Sequence, residues 1–181
     1  MAVNYLYADS ILSFVETDTP TLLSTFPGSE HKHWKQAIDL LKNQFHQLPH
    51  LAGDLVLGLN NQTPELRIPV TILYRGLIFT IDIGFNNTDY QADTLDTLHQ
   101  QARTLKHHHV ASQSKFIIPV TLETQATPKG GAIVVSEDLV ADPMCDTGEH
   151  LAALIEHFAN QYKDDQIILA DWLSSDCAEH C

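Results

Sequence analysis

Basic side chains are scarce in this chain. Ten Lys and Arg stand against 23 Asp and Glu, for a formal charge of −13 with neutral histidines. The acids are at an ordinary level, so the imbalance comes from missing bases. Nucleic-acid binders draw most of their affinity from Lys and Arg on phosphates, which argues against a high-affinity DNA or RNA surface on this chain alone, a small local patch aside. Cysteine is also sparse: Cys145, Cys177 and Cys181, an odd number that makes no disulfide framework. No apolar run reaches the roughly 18 residues of a membrane span. The opening MAVNYLYADS has no basic stretch leading into an apolar core, so no signal peptide is expected and the default location is the cytoplasm. No glycine-rich loop fits a P-loop or a dinucleotide fingerprint, Gly130-Gly131 reading as a turn, and there is no G-x-S-x-G elbow.

What the chain does have is an ordinary apolar share, 44% over 181 residues, enough for one domain with a real core. The expected domain is residues 1–181, with 171–181 a flexible tail anchored by Trp172. Its centre is the stretch Leu66 to Phe85, LRIPVTILYRGLIFTIDIGF, two β-branched runs folded back at Arg75-Gly76. Neither run alternates cleanly, so the hairpin is expected to be covered on both faces. Asp82 is its one polar residue suited to chemistry.

In chain order, Asp9 caps a short helix carrying Ile11, Leu12, Phe14 and Val15, and Thr19-Pro20 starts a second. Ser29 opens a longer helix with Trp34, Ala37, Ile38, Leu41 and Phe45 on one stripe, ended by Pro49. Gly53 to Leu59 reads as a strand, 60–64 as its turn, and the hairpin follows. Leu95, Leu98, Ala102 and Leu105 mark a helix, and Phe116 to Leu122 a strand. Pro119 in that strand cannot donate to a ladder, so a bulge or an unpaired side is expected there. Ala132 to Val135 reads as a short strand, Leu151, Leu154, Ile155 and Phe158 as an amphipathic helix, and Gln166 to Leu169 as a brief edge strand. The predicted fold class is α/β: a single domain with a mixed central sheet, an antiparallel hairpin plus crossover helix, flanked by helices.

Particular residues on this frame carry a resemblance. Arg67-Ile68-Pro69 and Asp82-Ile83-Gly84 sit on the two hairpin strands. Leu105-Lys106, His109 and Ser112 sit at a helix end, and Ile117-Ile118-Pro119-Val120 lies on the next strand. With Tyr5-Leu6 and Trp34, this pattern resembles the nuclease-like, PD-(D/E)XK-type N-terminal domain of bacterial Schlafen-related helicase-type ATPases, over residues 4 to about 126. The resemblance implies a restriction-endonuclease-like fold, here standing alone, and a metal-dependent site on the hairpin.

It also implies that the site is degenerate. Such a nuclease uses two carboxylates to hold Mg²⁺, a hard ion that takes oxygen ligands and polarises water and phosphoryl oxygen. Pro69 stands at the first carboxylate position, Asp82 at the second, Gly84 at the lysine and Thr97 at a helical glutamine. One carboxylate binds Mg²⁺ weakly. The bland reading of Asp82 is a satisfied structural carboxylate. The alternative is a rebuilt metal site of Asp82 with Glu65 or Asp89 and Lys106. A helix-end lysine such as Lys106 also has the simpler role of complementing the helix dipole.

Two His/Cys groupings invite a metal. His107, His108 and His109 follow one another on a helix and point about 100° apart, so they cannot share an ion; His109 reads as a packed histidine. Cys177, His180 and Cys181 converge if the tail is helical, with Cys145 or His150 as a fourth ligand, but a chain end frays and the spacing matches no recognised finger. No catalytic residue, cofactor or metal is expected, Mg²⁺ entering only with the alternative. The expected function is a catalytically inactive nuclease-like module that binds a protein partner, such as a basic nucleic-acid-processing enzyme, through charge complementarity. Self-association through a sheet edge or the apolar hairpin, giving a homodimer, is a further route. No membrane and no nucleic acid is expected as partner.

Overall fold

The two central strands form as expected. In the computed structural model, which describes residues 4–48, 53–62, 65–85, 88–127, 139–162 and 164–175, they are β3 (Glu65–Tyr74) and β4 (Leu77–Gly84). Their two-residue turn has φ of 49° at Arg75 and 81° at Gly76. Positive φ at both positions suits a hairpin loop, because its twist then matches that of the strands. Glycine is needed at position 76 for a second reason: a Cβ there would lie 2.6 Å from the backbone carbon of Asp164. The Asp164 N–H donates to Arg75 O at 2.9 Å, pinning the later chain across the turn.

Among the described residues, one mixed six-stranded sheet in sequential order lies around the hairpin. β1 (Tyr7–Ser10) and β2 (Asp54–Gln62) extend it antiparallel on one side. β5 (Phe116–Glu123) and β6 (Met144–Asp146) extend it parallel on the other. The fold class is therefore the expected one. The hairpin strands are interior and the edges are β1 and β6, so the hairpin itself is not an edge open to a second copy.

Helices cover both faces. α1 (Ile11–Glu16), α2 (Thr19–Leu23), α3 (His31–Phe45) and α5 (Leu151–Tyr162) pack into the larger core, which takes Leu77, Phe79, Ile81 and Ile83 from β4. The intervening Ile78 belongs to the smaller core with Ala102 and Leu105 of α4 (Ala92–His108). This alternation is the two-residue period of a strand. Because both faces are buried, the hairpin reads as near-continuous apolar runs. Each fully buried Leu, Ile or Phe contributes roughly 1.5–3 kcal/mol of transfer free energy. Polar bonds tie α5 to α3 and to the sheet: Ala152 N–H donates to Gln44 Oε1 at 3.0 Å, and Tyr74 OH to Glu156 Oε1 at 2.5 Å.

Several local expectations are corrected. The α1 cap is Ser10, whose Oγ accepts from Ser13 N–H at 3.1 Å, whereas Asp9 lies in β1. Asn60 to Gln62 continue β2 instead of turning. Gln166 to Ile168 are irregular, and residues expected as edge strand and tail instead form α6 (Leu169–Ser174), with Trp172 fully buried. The strand expected at Ala132 to Val135 and the tail residues 176–181 lie outside the described residues. Pro119 behaves as its chemistry requires. Ile117 donates to Leu139 O and accepts from Ala141 N, so by the two-residue alternation Pro119 also faces the β6 side. There it falls in the gap between the Ile117↔Val140 bridge and the pairing that starts at Val120↔Met144, where no donor is required.

Candidate functional site

The strand ends opposite the Arg75-Gly76 turn form the site. Val70↔Ile81 is the last register pair there, which sets Pro69 and Asp82 next to one another at the following position. Clefts open on both sides. One of about 280 Å³, toward α4, is lined by Arg67, Pro69 and Asp82 and by Asp93, Thr97 and Gln101 of α4. Another of about 600 Å³, toward α3, shares Arg67 and Pro69 and adds Glu30, His33 and Trp34. A third of about 510 Å³ runs past Lys32, His33 and Gly84. The place marked by the resemblance is thus open to ligands on both faces of the sheet.

Its polar groups differ from those the resemblance implies. Asp82 is partly buried, and burial pushes its carboxyl above the ordinary range, while the His33 ring and the Ile83 N–H pull it back. Pro69 supplies no ligand atom. Behind Gly84 the space is filled: β4 and β5 pair Gly84↔Glu123, Glu123 is 1% exposed, and a Cβ built on Gly84 would lie 2.6 Å from Glu123 Oε1. An acid occupies the neighbourhood where the resemblance puts a lysine.

Two of the other expected members, Lys106 and Glu65, are set along the sheet from Asp82. Lys106 is buried and donates from Nζ to Lys115 O. Lys115 precedes Phe116, the partner of Leu77, while Asp82 pairs with Thr121. That separation is about 16 Å along the sheet at about 3.3 Å per residue. The Glu65 backbone lies four β3 positions from Pro69, about 13 Å by the same spacing. Asp89 is exposed, and its Oδ1 accepts from Tyr90 N–H at 2.8 Å. Thr97 is exposed on the cleft rim.

For the metal groupings, Cys177, His180 and Cys181 lie outside the described residues. His150 Nδ1 is 3.1 Å from Asp146 Oδ1, and Asp146 Oδ2 accepts from the N–H groups of Gly148 and His150. Cys145, on β6, is half-buried. Among the described residues no three His, Cys, Asp or Glu are placed to hold one ion.

The helix-end residues build something else. His109 is the C-cap of α4, fully buried. Its Nδ1 lies 2.8 Å from Ser112 Oγ and its Nε2 2.9 Å from Trp172 O. Trp172 Nε1 donates to the same Ser112 Oγ at 2.9 Å. His109, Ser112 and Trp172 therefore form a closed structural knot at the far end of the sheet from Asp82.

Sequence reasoning missed Glu123, Asp93 and His33 as neighbours of the hairpin end. For Glu123 a signal existed. It ends the otherwise apolar FIIPVTLE strand at the same parity as Thr121, so it shares the Asp82 face once β5 is known to run parallel to β4. His33 comes from α3, and nothing local in the sequence places it there. No protein-family model matches the chain, and neither does any curated protein or solved structure.

Proposed function

We propose that this chain is a nuclease-like domain that has lost catalysis and works as a protein-interaction or regulatory module for a partner with a basic surface. The observation that carries this reading is the Glu123 carboxylate buried against Gly84. A metal-dependent nuclease of this type places a lysine beside the attacking water; Gly84 supplies no side chain there, and an acid fills the space behind it. Pro69 beside Asp82 leaves the hairpin without its second ligand. The run of helix, three strands, helix and strand from α3 to β5 agrees with the order on which the resemblance rests. The charge of −13 favours a basic partner, because opposite potentials steer encounter and set register.

The test has two arms. Purified protein incubated with DNA or RNA and Mg²⁺ or Mn²⁺ leaves the substrate intact; cleavage that disappears in Asp82→Ala would overturn the reading in favour of a metal-dependent nuclease centred on Asp82. The tagged chain, passed over extract of its native host, retains a partner that releases as salt rises. Retention of nothing at low ionic strength counts against the interaction role.

A further inference from the structure

The His109 ring is held by bonds that start and finish on one residue. Trp172 O can only accept, so His109 Nε2 carries the ring proton and donates to it. Nδ1 then offers a lone pair, which Ser112 O–H fills. The Ser112 oxygen in turn accepts the Trp172 indole N–H. Every donor meets an acceptor only while His109 is neutral. A proton on Nδ1 would turn it into a second donor aimed at Ser112 Oγ, and the hydroxyl proton would lose its acceptor.

We propose that α6 is an acid-released latch: protonation of His109 breaks this ring of bonds, and α6 leaves the smaller core while the sheet stays folded. The attachment of α6 is concentrated at one side chain, which makes a local release feasible. Trp172 is fully buried against His109, ring centroids 4.6 Å apart. Its neighbours Leu169 and Leu173 are only partly buried, and Ile168 is 62% exposed. Ser175 Oγ adds a bond from Ala111 N–H at 3.0 Å.

Among the described residues no opposite charge offsets protonation. The charged and titratable groups on the surrounding elements are His107, His108 and the buried Lys106 on α4, Lys115 after the Val110–Ser112 turn, and Asp171 on α6. Lys106 donates to Lys115 O, Lys115 reaches Asp164 and Asp165, and Asp171 is exposed. Among the described residues no carboxylate pairs with His109. Burial holds the ring below its ordinary 6.5, against a smaller opposing pull from Trp172 O. Protons therefore bind the released form preferentially. Below the ordinary histidine value the released population rises up to tenfold per pH unit, until the docked ring itself titrates.

The chain holds two tryptophans, Trp34 on α3 and Trp172, which supply separate reporters. In ¹H–¹⁵N spectra recorded from pH 7.5 to 4.5, the Trp172 indole N–H starts to move toward its solvent position below about 6.5, and moves further with each unit of acidification. The Trp34 resonance and the far-UV circular dichroism stay unchanged. In His109→Gln, whose amide can both donate to Trp172 O and accept from Ser112, Trp172 stays docked throughout. The proposal fails if both indoles and the dichroism change in one transition, if Trp172 stays docked in the natural chain, or if His109→Gln releases with the same pH profile. Should that variant not fold, the His109 ring resonances of the natural chain decide: they titrate in step with Trp172 release, or the latch is not driven by His109.

Discussion

The two ends of the central sheet handle their polar groups in opposite ways. At the open end, Pro69, Asp82 and Gly84 border clefts on both faces. There a partly buried carboxylate carries an upward-shifted carboxyl, and an acid from β5 fills the space behind the glycine. At the far end, His109, Ser112 and Trp172 satisfy one another in a buried core. His109 and Ser112 belong to the same sequence resemblance as the open end, yet only the far set forms a close-knit structure. Stability should therefore be concentrated where the polar groups are satisfied.

The largest expected effect tests that concentration directly. Trp172→Ala removes a fully buried indole together with its N–H bond to Ser112 Oγ, for a loss of about 3–5 kcal/mol, read as a drop in the urea midpoint. A loss near zero would show that α6 adds nothing to the fold. Next comes Ser112→Ala. It strips both the Trp172 indole N–H and His109 Nδ1 of their partner, and each buried group left unsatisfied costs about 1–3 kcal/mol. The expected total is about 3 kcal/mol, and a silent variant would mean the hydroxyl is not the hub.

At the open end the tight spot is Gly84. Gly84→Ala forces its new Cβ onto the Glu123 carboxylate, an overpacking cost in the range of about 1–3 kcal/mol, at the lower end if the Glu123 side chain yields. The cycle with Glu123→Ala isolates the contact: the double variant should recover most of the Gly84→Ala loss, a coupling of about 1 kcal/mol. Simple additivity would place the strain elsewhere.

How much of this was legible depends on range. The hairpin, α3, α4 and α5 were readable because each buries a face at its own period, and that pattern is local. The buried Trp172 anchor was legible as a lone aromatic in a polar segment, but the helix around it was not, since six residues make too little pattern. β1 and β6 were missed because short strands at the rim, YADS and MCD, carry no apolar run; pairing defines them. At the site, the opposition of Pro69 and Asp82 follows from hairpin register alone. Glu123 and His33 arrive by crossover pairing and helix packing, distances that no local spacing encodes.

The smallest effect is the one that most sharpens the contrast, because its sign differs. Asp82 sits at the open end with its carboxyl held above the ordinary 3.8, chiefly by burial. The native state therefore keeps the proton to a higher pH than the unfolded chain does. Between the unfolded value and the raised native one, the native state binds more protons, so stability falls as pH rises through that window and stays reduced above it. Asp82→Asn removes the titration, so it should stabilise the protein at neutral pH and lose that advantage below about pH 4. The gain is the smallest of the effects considered, since His33 and the Ile83 N–H offset part of the effect of burial. Urea midpoints of both proteins between pH 3.5 and 7 measure it. A neutral-pH loss instead of a gain would mean that the carboxylate is an integrated part of the structure, and the contrast between the two ends would fall.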